Sequence, residues 1–219
     1  MLLWCQYPLL VIGILALCYC AYATLDAKVY QAYEAWRFDR ALKEARPAIS
    51  NKQPHLAPLP SVLTDANTAR DESPGLPSRG SLLGRLEIGS VGIAVMVLEG
   101  TGGRTLRRGV GHIPGTALPG ERGNIAIAGH RDTFFRPLRN IHKGDEITLT
   151  TLQGVYRYRV DSMQLVEPED TAALDNSGDA TLTLVTCYPF YFVGPAPKRF
   201  IVRAIGISDS KDSLAKTGP

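Results

Sequence analysis

From Met1 to Leu25 the chain carries no charged side chain, and residues 8–23 are almost continuously apolar. About 20 such residues suffice to span a bilayer as a helix. Trp4 and Tyr7 stand near one end of the run, Tyr19 and Tyr22 near the other, where amphipathic rings settle at membrane interfaces. The pattern predicts a transmembrane anchor over 1–25. Ala21-Tyr22-Ala23 has the form of a signal-peptide cleavage site, but the run lacks a positive leading region and is long for an h-region. Bulky Leu17 disfavours a lipoprotein reading at Cys18.

Over 26–46, Val29, Tyr33 and Trp36 recur at helical spacing, with Tyr30 and Leu42 less regular. That predicts a helix with one apolar stripe, continuing the anchor outward. From 47 to 80 the prolines at 47, 54, 58, 60, 74 and 77 interrupt any helix, and small polar residues fill the gaps. Residues 26–79 therefore read as a juxtamembrane helix and an irregular tether. Beyond Gly80 the period becomes that of strands. Apolar or alternating runs occupy 83–88, 93–98, 124–129, 146–152, 155–160 (running on toward Val166), 181–187 and 200–207. Residues 89–92 make a turn, and Gln153-Gly154 marks a hairpin. With no long amphipathic helix between them, seven strands predict a mainly all-β domain, a closed or nearly closed barrel, over 80–209. There is no internal repeat, and 210–219 reads as a polar tail.

Composition sharpens this picture in three places. The 21 Gly and 15 Pro suit a loop-rich β domain. A formal net charge of +3 over 219 residues, with no basic stripe interleaved with aromatics, does not argue for nucleic acid as a partner. No Lys or Arg precedes the apolar run, whereas Lys28, Arg37, Arg40 and Lys43 follow it. By charge alone, the C-terminal side would be cytoplasmic.

Cys5, Cys18 and Cys20 lie in the apolar run, so Cys187 stands alone in the rest of the chain and no disulfide can form there. A lone cysteine commonly packs as a small hydrophobe. Its surroundings suggest more. The run 181–187 delivers it to a strand end, and Pro189 stops the ladder just beyond. A second strand ends at Gly129, with His130 directly after it. A thiolate attacks carbonyls, a nearby imidazole favours the anion and can protonate a leaving amine, and a cation can face the developing oxyanion. Arg199, 12 residues after Cys187 at the start of the next strand, is the candidate cation. Lys198 and Arg203 are its rivals, Arg203 the more serious because strand alternation puts it on the same face as Arg199.

These residues carry a resemblance. The run from about Gly80 to Ser208 resembles the sortase catalytic domain, most of all its class D branch. The motifs are Gly120-Glu-Arg-Gly-Asn-Ile-Ala-Ile-Ala-Gly-His-Arg131, Thr183-Leu-Val-Thr-Cys187, Pro197-Lys-Arg-Phe-Ile-Val202, and Tyr188-Pro-Phe after the cysteine. The resemblance implies an eight-stranded β-barrel, so one strand escapes the pattern, and the Gly-rich stretch between Thr105 and Thr116 is where it is expected. It implies a transpeptidase that cleaves a Leu-Pro-x-Thr-Gly type sorting signal after Thr through a thioacyl intermediate, which an amine of the cell wall or surface resolves. By the same carry-over Cys187 is the nucleophile, His130 the general acid/base, and Arg199 the substrate- and oxyanion-binding cation. A single-pass membrane protein with an extracytoplasmic catalytic domain is implied too, against the charge count.

Other residues have plainer readings. His112 is expected to hold a loop, His142 to face solvent at a turn, and His55 to lie in the tether. Asp132 could orient His130 or cap a turn, and Phe134 and Phe135 suit core packing more than a groove. One cysteine and scattered histidines give no zinc spacing, so no metal or cofactor is expected. The acid-rich loop with Glu167, Glu169, Asp170, Asp175 and Asp179 reads as solvated, with cation binding as the alternative. Leu214-Ala-Lys-Thr-Gly218 looks like a sorting signal but lacks a following apolar segment. A non-catalytic scaffold on the same barrel and another wall-modifying cysteine transpeptidase are the competing functions. The second lacks its Ser-x-Gly-Cys motif here, and a papain-like order would place the cysteine first.

Overall fold

A computed structural model describes residues 2–50, 77–176, 178–192 and 194–207. Eight strands close into a barrel: β1 (Leu82–Ile88), β2 (Ile93–Glu99), β3 (Val110–His112), β4 (Asn124–Ala128), β5 (Glu146–Thr150), β6 (Val155–Val166), β7 (Thr181–Tyr188) and β8 (Lys198–Gly206). Their order around the barrel is β1-β2-β3-β4-β7-β8-β6-β5. The β2–β3 and β4–β7 pairs are parallel and the others antiparallel. Inward residues of every long strand, among them Leu86, Val95, Ile127, Leu149, Val160, Leu184 and Val202, form one core cluster, joined by Phe135, Leu138 and Ile141.

The missing strand is β3, inside the Gly-rich stretch where it was expected. Its middle residue explains why no pattern shows. A Cβ on Gly111 would collide with the Gly100 backbone carbonyl, so the packing that makes the strand demands the residue that hides it.

The helix α1 (Leu2–Ser50) runs unbroken through the apolar segment and the juxtamembrane segment, and a short α2 (Gly103–Arg108) precedes β3. Among the described residues, no helix is long and apolar enough to cross a membrane. The helix passes Pro47 and ends three residues later. A proline φ is compatible with helix, but at this end the ring removes the backbone bond to the carbonyl four residues earlier, consistent with the helix stopping within a turn. The second half of α1 docks on the barrel with a face that periodicity did not select. Val29, Tyr33 and Trp36 are all more than half exposed, while Glu34 and Phe38 are buried. The physical cause is a gap in the sheet. Because β3 is three residues long, it pairs β2 only over Val97–Glu99 and leaves the Met96 N–H without a ladder partner. The Met96 N–H instead donates to Gln31 Oε1 (2.9 Å), and Gln31 Nε2 donates to the Arg108 carbonyl just before β3. Asp39 accepts from Arg85 (2.9 Å), and Asp26 from Arg108 (3.4 Å). From Val95 onward both faces of β2 are buried, in keeping with its apolar run.

Candidate active site

The site is built on β7, which lies between β4 and β8. Leu182 and Leu184 point into the core, so Thr181, Thr183, Val185 and Cys187 lie on the outer wall. The parallel neighbour β4 aligns Asn124, Ala126 and Ala128 with Thr181, Thr183 and Val185. The outer face of this pair is fastened by Asn124, itself 2 % exposed. Its Oδ1 accepts from Thr181 Oγ1 (3.2 Å) and Thr183 Oγ1 (2.8 Å), and its Nδ2 donates to the Ala173 carbonyl (2.9 Å) of the single 3-10 turn Ala172–Leu174. The loop leading into β7 is thus pinned against that wall.

One step past β4, the Gly129 N–H donates to the Val185 carbonyl (3.0 Å) and continues the ladder. The buried Thr186 hydroxyl donates to the Gly129 carbonyl (2.8 Å). His130 follows directly after this last ladder bond, where the chain leaves the sheet and its carbonyl accepts from the Phe135 N–H (3.1 Å). On the other side, β8 places Arg199 directly opposite Cys187 as its antiparallel partner. Cys187 and Arg199 therefore share one face of neighbouring strands roughly 4.8 Å apart, and the end of β4 that leads into His130 completes a row of three adjacent strand ends. His130 is exposed, and Cys187, a free thiol, and Arg199 are half-buried.

The same register separates the rival cations. Arg203 pairs with Thr183, four residues from the Cys187 level, or roughly 14 Å along the strand. Lys198 sits opposite Tyr188 and pairs with Glu167 (3.5 Å). Arg199 donates only to the nearby Ala196 and Lys198 carbonyls (3.4 and 3.3 Å), and among the described residues no carboxylate neutralises it.

Beneath the row, aromatic rings stiffen the strand ends. Tyr188, Phe190 and Phe200 pack together, with centroids 5.4 to 6.4 Å apart. Phe135 is wholly buried under Gly129, where an added Cβ would lie 2.6 Å from its ring. Gly129→Ala is therefore expected to overpack this end of the barrel, costing about 2 kcal/mol. A thermal melt should show Tm lowered by several degrees, and an unchanged Tm would mean that the Phe135 ring has room to retreat.

The remaining residues fall where their chemistry directs them. His112 is buried, with Nδ1 2.7 Å from Glu99 and Nε2 3.0 Å from the Ala117 carbonyl and the Thr116 hydroxyl, so it fastens a loop. His142 is exposed, and His55 lies outside the described residues. Asp132 accepts from Arg131 Nε (3.3 Å), and Phe134 packs against the core beside buried Phe135. In the acidic loop Glu167 pairs with Lys198, and Asp170 accepts from the Ala172 N–H (3.0 Å). No group of three His, Cys, Asp or Glu side chains converges for a metal among the described residues. Sequence reasoning missed Asn124, whose only signal is a polar residue heading a buried strand, and Arg131, which looks like any loop arginine.

The closed barrel thus carries a free, half-buried thiol near the end of one strand, with a guanidinium opposite it on the next. The chain belongs to the sortase family of cysteine transpeptidases: the Sortase domain model matches residues 86–206. It is 35% identical over 165 residues to Sortase D of Bacillus subtilis, covering 75% of this chain and 81% of that protein. Its fold is shared with a Sortase D5 transpeptidase of Clostridium perfringens, at TM-score 0.60 and 24% identity, over 84% of this chain and 99% of the other. The X-ray structure of C. perfringens sortase C with the C-terminal cell wall sorting motif superposes at TM-score 0.55 and 30% identity, over 60% of this chain and 73% of that one.

Proposed function

We propose that this sortase cleaves a Leu-Pro-x-Thr-Gly type signal between Thr and the next residue and transfers the acyl group to an amine at the cell surface. The observation that carries the reading is the row across three strands, with Arg199 the direct cross-strand partner of Cys187. Cys187 attacks the Thr carbonyl and becomes the thioester. Arg199 faces the oxyanion, and His130 protonates the departing amine and later deprotonates the accepting one. That a C. perfringens relative is solved with a cell wall sorting motif supports a peptide of this class as substrate. Residues 1–25 serve as a single-pass anchor with the barrel outside the cell. In support, the stretch is free of charge, and Leu9, Leu10, Val11, Ile12, Ile14, Leu15 and Leu17 are all exposed.

The test uses the full chain in detergent with a panel of Leu-Pro-x-Thr-Gly and Leu-Ala-x-Thr-Gly peptides and candidate amines, reading products by mass. Cleavage after Thr with ligation to an amine is expected; a break at any other bond would reject the reading. Arg199→Ala is expected to lower kcat/KM by ~10²–10³-fold, while Arg203→Ala leaves it largely unchanged. Equal losses in steady-state assays of the two variants would remove the register argument.

A further inference from the structure

The loop from Pro189 to Pro197 joins the strand ends that carry Cys187 and Arg199. Among the described residues, its own backbone supplies one hydrogen bond, from the Phe192 N–H to the Pro189 carbonyl (3.4 Å). Phe190 is buried in the core, whereas Tyr191 beyond it is 75% exposed and Phe192 43%, so apolar burial anchors the loop at its beginning. A residue from another part of the chain holds it further along. Arg131, 6% exposed, donates from Nη1 to the Pro189 carbonyl (3.0 Å) and from Nη2 to the Gly194 carbonyl (3.3 Å). Its Nε donates to Asp132, and its guanidinium stands 6.0 Å from the centre of the Phe192 ring. A second cation from the same region, Arg139, stands 5.5 Å from the Tyr191 ring.

We propose that Arg131 is a positioning residue for the transpeptidation, fixing His130 relative to Cys187 by bracing the loop after β7 from within. This rests on the reading of Cys187 and His130 as the reacting pair. The argument is one of connectivity. Arg131 is bonded directly to His130, and its guanidinium grips the loop two residues past Cys187 and again five residues before Arg199. One planar group therefore ties together the segments that supply the acid/base, the thiol and the cation. A buried guanidinium must have its N–H groups filled, and here two main-chain carbonyls of the loop do so. Gly129, just before His130, is bonded to β7 through the Val185 carbonyl and the Thr186 hydroxyl, and Arg131, just after it, holds the loop that follows Cys187. Proton transfer between the two depends steeply on geometry, and a shift of about 1 Å costs ~100-fold. Lysine cannot replace it: an ammonium is a point donor and cannot span both carbonyls in a fixed plane.

The test compares the full-length protein in detergent with Arg131→Lys and Arg131→Met. Three quantities are read: kcat and KM on a Leu-Pro-x-Thr-Gly peptide, the thermal midpoint, and the rate of Cys187 alkylation by iodoacetamide across a pH series. The alkylation uses a background in which Cys5, Cys18 and Cys20 are serine. Both variants are expected to lose ~100-fold in kcat with KM changed far less, and to show an altered pH profile of alkylation. A variant that is less heat-stable but keeps kcat and the alkylation profile would show Arg131 to be a structural brace only and overturn the proposal. If Arg131→Met does not fold, Arg131→Lys decides on the same criteria. A Cys187→Ala control that still turns over would instead sink the reading of the site. Turnover that depends on Cys187 but ignores Arg131→Lys would sink this proposal alone.

Discussion

Cys187→Ala is expected to lower turnover of a sorting-signal peptide by on the order of 10⁶-fold, the size of loss seen when an enzyme loses its nucleophile. The sulfur is the atom that would become the thioester, and no neighbour can take its place. Thr186 points to the opposite face and is committed to the Gly129 carbonyl. Val185 and Ile201, on the same outer face, have no nucleophilic atom. The substitution is small and half-buried, so the barrel should melt within a degree or two of the parent. Peptide affinity should also survive, since Arg199, the proposed substrate-binding cation, is untouched. Intact-mass spectra should therefore show a peptide adduct on the parent and none on the variant, while a binding titration separates them little. That combination distinguishes an enzyme from a scaffold on the same barrel, for which both proteins would bind and neither would be acylated. Because Cys18 is also free and exposed, the adduct must be located by digestion. An adduct on Cys18, or one that persists in Cys187→Ala, would contradict the assignment.

The second large effect is expected at His130. His130→Ala should lower kcat/KM by ~10²–10⁴-fold, the range for loss of a positioned acid/base. The other histidines make this a selective test. Both ring nitrogens of His112 are engaged within a buried cluster, so it cannot exchange protons at the rim. His142 is exposed on the turn before β5, so His142→Ala should be silent. Since His130 is itself exposed, its removal opens a solvent-accessible gap beside the thiol. Added imidazole should enter it and restore part of the lost rate. A variant that neither loses activity nor responds to imidazole would place the proton transfer elsewhere.

The two arginine comparisons mark how far the sequence could be read. Alternation alone put Arg199 and Arg203 on one face of a strand and could not choose between them. The choice came when β8 began two residues earlier than its apolar run, bringing Arg199 into the ladder opposite Cys187. Arg131 was invisible for a related reason. Its partners are main-chain carbonyls 58 and 63 residues away, and a carbonyl has no sequence signature. The helix α1 shows the same limit in reverse. Its apolar stripe was plain, but its docking runs through Gln31, Asp39 and Phe38, because a three-residue β3 left a backbone N–H on β2 that an amide side chain could fill.

Local chemistry was enough to determine every strand but β3, the turns between most of them, and the two motifs that end in His130 and Cys187. Each of these depends on side chains near one another in the chain: alternation, glycine at turns, a proline that stops a ladder. Register across the closed sheet, the brace from Arg131 and the docked face of α1 depend on backbone groups brought together from distant segments. Every residue carries such groups, so nothing in residue identity advertises them, and only the closed barrel could decide where they meet.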